Sequence, residues 1–127
     1  MNYEGFCKRV LVLDQSIRYT GVVDHLGTLL SLAYRSGLVP LSSPEESEEY
    51  SKRAVLRTGA IESGPKVGIL KYVIGKYENL IRATIPIVSD QYNKYYLMLS
   101  IDNVNNPSQI IEEKVLPYIR EEGRQFF

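Results

Sequence analysis

Three strand-like runs follow one another between Lys66 and Asp102, and both of their faces are apolar. They are Val67–Tyr77, Leu80–Val88 and Lys94–Asp102. Glu78-Asn79 makes a tight turn after the first, and Ser89–Asn93 a polar turn after the second. In the third run Tyr95, Leu97, Leu99 and Ile101 point one way and Tyr96, Met98 and Ser100 the other, because side chains alternate along a strand. A sheet with one wet face shows a polar second set. This one needs cover on both sides, so the rest of the chain must supply helices to each. Pro86 is the awkward residue: it has no N–H to give a ladder, and it marks a bulge, a strand end or an edge.

Helical patterns stand at the start, middle and end. Tyr3, Phe6, Val10, Leu13 and Ile17 recur at steps of three and four, which puts them on one face of a first helix. Arg18–Asp24 and Thr28–Arg35 read as strands. Between them Gly27 can take the positive φ of a short hairpin. A loop over Ser36–Ser43 leads to the clearest helix start: Ser43 as N-cap, Pro44 at the first position and Glu46 completing a capping box. Glu45, Glu46, Glu48 and Glu49 suit the positive end of the helix dipole. Tyr50, Ala54 and Ile61 form its buried stripe, the helix frays between Thr58 and Gly64, and Pro65 ends it. The last helix opens on Asn106, Pro107 and Gln109. Ile111, Val115, Tyr118 and Ile119 face inward, Pro117 kinks it, and Phe126 and Phe127 can pack from the tail. Residues 1–127 therefore read as one α+β domain, a single five-stranded antiparallel sheet between helices in the order α-β-β-α-β-β-β-α.

Charge and composition narrow the function. Fifteen basic residues cancel fifteen acidic ones, which excludes a generally basic nucleic-acid binder and leaves little repulsion between copies. One cysteine excludes an internal disulfide framework, and one histidine most metal sites. Met1–Tyr19 has no apolar signal core, and no run approaches the ~20 apolar residues of a membrane helix. A cytoplasmic protein is expected, with no membrane partner.

Candidate chemistry is thin. Gly59-x4-Gly64-Pro65-Lys66 fails as a phosphate loop: Pro65 intrudes, Val67 replaces the hydroxyl, and a strand follows instead of a helix. Cys7 and His25 read as a buried small hydrophobe and an exposed turn residue. Asp24 and Asp102 sit at strand ends, near enough to raise an acid–base pair, but turn or capping hydrogen bonds account for both. Ten tyrosines without a tryptophan raise base stacking, with Tyr72, Tyr77, Tyr92, Tyr95 and Tyr96 on the sheet among Lys71, Lys76, Arg82 and Lys94. Helices over both faces argue against it, and a protein interface suits the rings better. No catalytic, cofactor or metal site is expected, and no nucleic-acid partner.

The element order resembles the roadblock/LC7 group of the profilin-like superfold, which is close to longin domains and more distantly similar to PAS-like sensors. Ile17-Arg18-Tyr19-Thr20-Gly21-Val22-Val23-Asp24, Pro40-Leu41 before Pro44-Glu45-Glu46, and Arg82-Ala83-Thr84-Ile85-Pro86 resemble a small uncharacterised archaeal family of this type. The resemblance implies a non-catalytic homodimer acting as a scaffold or signalling regulator, often beside small Ras-like GTPases. Its pairing surface would be the second helix and the third strand, here Glu45–Ile61 and Val67–Tyr77, with Tyr50, Ala54, Val67, Ile69, Lys71 and Val73 as interface residues. The third strand, if an edge, is long, apolar and guarded only by Lys71 and Lys76, which makes it a template for another strand. The alternative is a PAS-like ligand sensor, with a pocket of several hundred cubic ångströms between sheet and helix lined by Tyr19, Tyr34 and Tyr72.

Overall fold

The computed structural model describes residues 2–61, 66–88 and 94–122. The elements are α1 (Tyr3–Leu11), β1 (Ile17–Asp24), β2 (Leu29–Tyr34), α2 (Pro44–Ile61), β3 (Val73–Lys76), β4 (Ile81–Val88), β5 (Lys94–Ile101), α3 (Pro107–Ile110), a π-helical turn (Ile111–Val115) and α4 (Leu116–Glu122). The strands form one antiparallel sheet in the order β2-β1-β5-β4-β3. The alternation along β5 sorts the core as expected. Leu97, Leu99 and Ile101 pack with Phe6, Val10, Ile111 and Val115 under α1 and the C-terminal helix, while Tyr96 and Met98 pack with Ala54 and Val55 of α2 on the other face.

Local chemistry sets the element boundaries. The capping box at α2 forms in full: Glu46 N–H donates to Ser43 Oγ (3.1 Å), and Ser43 N–H to Glu46 Oε1 (3.1 Å). Gly27 does take a positive φ, 83°, and Asp24 Oδ1 accepts from the Leu26 and Thr28 N–H groups in the same turn. Helix α2 holds through Ile61; Gly64 and Pro65 lie outside the described residues, as do the Ser89–Asn93 turn and the C-terminal phenylalanines.

Four expectations are corrected. Ile17 belongs to β1 and not to the first helix, because Asp14 ends the helical path: its Oδ1 accepts from the Ser16 N–H (2.9 Å) and hydroxyl (2.6 Å). Strand β3 is four residues long, not eleven, since Gly68 at φ 93° turns the chain ahead of it. Asn106 stands at the N-cap of α3 but makes no side-chain cap bond; its amide donates to Gln109 Oε1 (3.0 Å). Asp24 and Asp102 are at opposite ends of the sheet, as the register Asp24↔Tyr95 and Ile17↔Ile101 requires. Two prolines find physical homes. Pro86 pairs with Tyr96 on one side, and the β3 ladder stops at Val73↔Thr84, so Pro86 lies where β4 has no second ladder partner among the described residues. Pro117 falls in the first turn of α4 behind the π turn, where the Leu116 N–H reaches Ile111 O.

Asp14 also ties the two helices of one face together, accepting from Lys114 Nζ at 2.7 Å through Oδ2. The Lys114 and Ser16 hydrogen bonds hold its carboxyl down at about 2, from 3.8. Asp14→Asn is expected to lose about 1–3 kcal/mol near neutral pH in urea unfolding. A depressed native pKa stabilises above the unfolded-state value and stops doing so as pH falls through the native one. The gap between wild type and variant should therefore be full above pH 5 or so and close towards pH 2.

Candidate functional site

Two features of the α2 face and its margin carry functional potential. The first is the α2–β3 stretch. β3 is an outer strand of the sheet, and its far edge has no ladder partner among the described residues. The residues leading into it are apolar and bare: Val67 is 79% exposed and Ile69 77%. On α2 itself Leu56 is 75% exposed. Val12, Leu26 and Val39 are just as bare but sit singly at a helix end, a hairpin tip and a loop, which is ordinary.

The residues expected at a pairing surface divide. Val67, Ile69 and Lys71 are exposed and Val73 is half-buried. Ala54 is fully buried beneath α2 against Val23, Tyr96 and Met98, so it has no surface to offer a partner. Tyr50 is half-buried and lies under the Arg82 guanidinium, 4.0 Å from its ring centroid. Leu56 was missed; an apolar residue off the buried stripe of an otherwise amphipathic helix was the signal for it.

The second feature is the sheet end under the start of α2. A cavity of about 60 Å³ opens there between the 38–42 loop, α2 and strands β1, β4 and β5. Tyr19 and Tyr34 line it, with ring centroids 5.1 Å apart, whereas Tyr72 is on the opposite face, its hydroxyl donating to Glu112 Oε1 (3.0 Å). Sixty cubic ångströms is far below the several hundred that a sensor pocket needs. Beside it Asp102 bridges Arg18 (3.0 Å) and Arg35 (2.7 Å). Arg35 first, then Arg18, lowers the Asp102 carboxyl below its usual range.

Tyr19 has its own peculiarity. Its hydroxyl is buried with no hydrogen-bond partner among the described residues, and that burial pushes its pKa up. It lies over Gly21, where an added Cβ would come within 2.5 Å of the oxygen. Tyr19→Phe should therefore raise stability by about 1 kcal/mol, since an unsatisfied buried hydroxyl is removed. Gly21→Ala should lower stability, and less so in the Tyr19→Phe background; thermal unfolding of the four proteins measures both.

No protein-family model and no curated protein matches the chain. Solved structures do. The gliding protein MglB from Thermus thermophilus superposes with a TM-score of 0.67 at 13% identity, over 94% of this chain and 83% of that one. A roadblock/LC7 domain from Streptomyces avermitilis gives 0.65 at 10% identity, over 93% and 94%. The fold is that of the roadblock/LC7 domain. An MglB with a tetrameric arrangement also matches, with a TM-score of 0.66 at 14% identity over 97% and 93%.

Within this roadblock/LC7 fold the reactive side chains are scattered. Cys7 is buried under α1, its thiol pKa pushed up by that burial, and its carbonyl accepts from Thr20 Oγ1 (2.8 Å); His25 is exposed at the hairpin tip. Among the described residues no cluster of three His, Cys, Asp or Glu could hold a metal ion, and no helix is long and apolar enough to cross a membrane. Among the described residues the strand tyrosines are divided between the two faces of the sheet. Tyr72 and Tyr95 pack towards the α1 side, Tyr96 is buried under α2 at 4% exposure, and Tyr92 lies outside the described residues.

Proposed function

We propose that this chain is a single-domain, cytoplasmic, non-catalytic regulatory module that pairs with a second copy of itself along α2 and β3 and works beside a small GTPase. The observation that carries the reading is the bare apolar pair Val67 and Ile69, 79% and 77% exposed, running into an outer strand. Exposed apolar residues next to an open edge invite a partner strand. The tetrameric arrangement of one roadblock-fold neighbour supports self-association, and the gliding role of another supports a place in regulation. The phrases around Arg18–Asp24 and Arg82–Pro86 support a kinship with the archaeal family they resemble.

The GTPase half is tested by calorimetric titration. The purified protein is mixed with each small Ras-like GTPase encoded in the same genome, loaded with GDP or with a non-hydrolysable GTP analogue. Binding to one of them, with an affinity that depends on the nucleotide, is the expected result. No binding to any of them in either state removes the GTPase from the reading.

A further inference from the structure

The α2 face holds a cation, Arg82, that forms no ion pair with an acid among the described residues. Arg82 rises from β4 into the wall of the cavity under α2. Its guanidinium stacks 4.0 Å from the centroid of Tyr50 and 5.2 Å from that of Tyr77, and donates to Ser42 Oγ at 3.1 Å. An arginine has five N–H donors in a fixed fork, and this side-chain bond leaves most of the fork unused. No carboxylate among the described residues is within ion-pairing distance. Glu46, the acid that Arg82 influences electrostatically, has its carboxylate engaged by the Ser43 N–H. Arg57 adds a second guanidinium 5.8 Å from the same Tyr50 ring, also without a carboxylate partner among the described residues. The contrast is with Arg18 and Arg35 at the same sheet end, which share Asp102. Of these four arginines, Arg18 and Arg35 are ion-paired, both to Asp102, and Arg82 and Arg57 are not, among the described residues.

The space beside Arg82 has a mixed lining. Ser47 and Ser100 bring hydroxyls, while Met98, Leu38 and the Tyr34 ring are apolar. A water needs about 10–15 Å³ of such space, so about 60 Å³ has room for about four to six atoms of that size. That is the size of a carboxylate on a short alkyl stem. Arginine binds carboxylates through paired N–H···O bonds, and more strongly where water is partly excluded.

We propose that this cavity binds a carboxylate carried on a short apolar stem, with Arg82 as the anion-binding group and the Met98–Leu38 side receiving the stem. A free short-chain acid and a glutamate side chain presented by a partner share this chemistry. The cavity shares Tyr50 with the proposed pairing surface, but the carboxylate site is built within one chain and does not require the chain to dimerise.

The test is a titration followed by amide chemical shifts at constant ionic strength. The probes are propionate, its neutral isostere propionamide, inorganic phosphate, and an end-capped Gly-Ser-Glu-Ser-Gly peptide with its Gln counterpart. Saturable shifts at Ser42, Arg82 and Ser100 with propionate alone assign a free acid; with the Glu peptide alone, a presented side chain; with both, one site open to either. Each requires that the neutral counterpart give no saturation and that Arg82→Gln weaken binding about tenfold or more. The proposal is overturned if neither carboxylate saturates, if propionamide or the Gln peptide binds as well as its acid, or if phosphate matches propionate. The comparison of acid with amide is made on the wild-type protein, so a poorly folded Arg82→Gln variant does not spare the proposal.

Discussion

Ile69→Asp is expected to weaken self-association by one to two orders of magnitude and to leave the unfolding of the monomer unchanged. The side chain is 77% exposed, so a charge there costs the isolated chain nothing. In a pairing surface it exchanges buried apolar area for a desolvated carboxylate, about 1.5–3 kcal/mol. The size of the interface says which further sites must matter. A stable dimer buries about 800 Å² per partner, about a tenth of the 7554 Å² that this chain exposes. A four-residue strand is only about 13 Å long and cannot supply that alone. The outer face of α2 and the Val67–Ile69 approach must contribute, and Leu56→Glu should act as strongly as Ile69→Asp. Val12→Asp is the control: this residue is 79% exposed at the end of α1, which packs on the sheet face opposite α2, and charging it should leave the mass alone. Dimer dissociation measured by sedimentation across a dilution series separates the pair from the control.

Gly27→Ala is expected to be the most damaging added methyl among the described glycines. Gly27 sits at φ 83°, and a Cβ there would come within 2.7 Å of the Lys52 Cα, an atom of the α2 backbone. A side chain at that φ costs about 1 kcal/mol by itself. The clash adds to it, because helix α2 must move away from the hairpin to relieve it, and together they amount to about 2–4 kcal/mol. Gly37→Ala isolates the conformational part: φ is 76° but no atom lies within 4 Å of the new Cβ, so a loss near 1 kcal/mol is expected. Since α2 carries Leu56 and covers the cavity beside Arg82, Gly27→Ala should also weaken self-association, whereas Gly37→Ala should not. Urea unfolding gives the first comparison and sedimentation the second.

What was legible in the chain was what neighbours in sequence decide. Ser43 and Glu46 are three residues apart and cap α2 by themselves. Gly27 marks its own turn, and the alternation along β5 divides the core between two helical layers with no knowledge of the helices. The errors come where a distant or competing interaction wins. Ile17 keeps helical spacing with Val10 and Leu13, but the Asp14 carboxylate turns the chain before the spacing can count. Val67 and Ile69 alternate like a strand, yet β4 offers no ladder beyond Thr84, and Gly68 turns the chain instead. Ala54 and Leu56 both look apolar on paper; only the sheet beneath α2 decides that one is core and the other is bare. The Arg82 stack needs Tyr50, Tyr77 and Ser42 brought together from three elements, and no spacing announces it.

Self-association through α2 and β3 is the central claim, and the mass of the wild-type protein in solution tests it most directly. Sedimentation equilibrium across the micromolar range should give twice the 14.5 kDa of one chain, falling towards one chain for Ile69→Asp and Leu56→Glu. A wild-type mass of 14.5 kDa at every concentration, or a dimer that both variants leave intact, contradicts it.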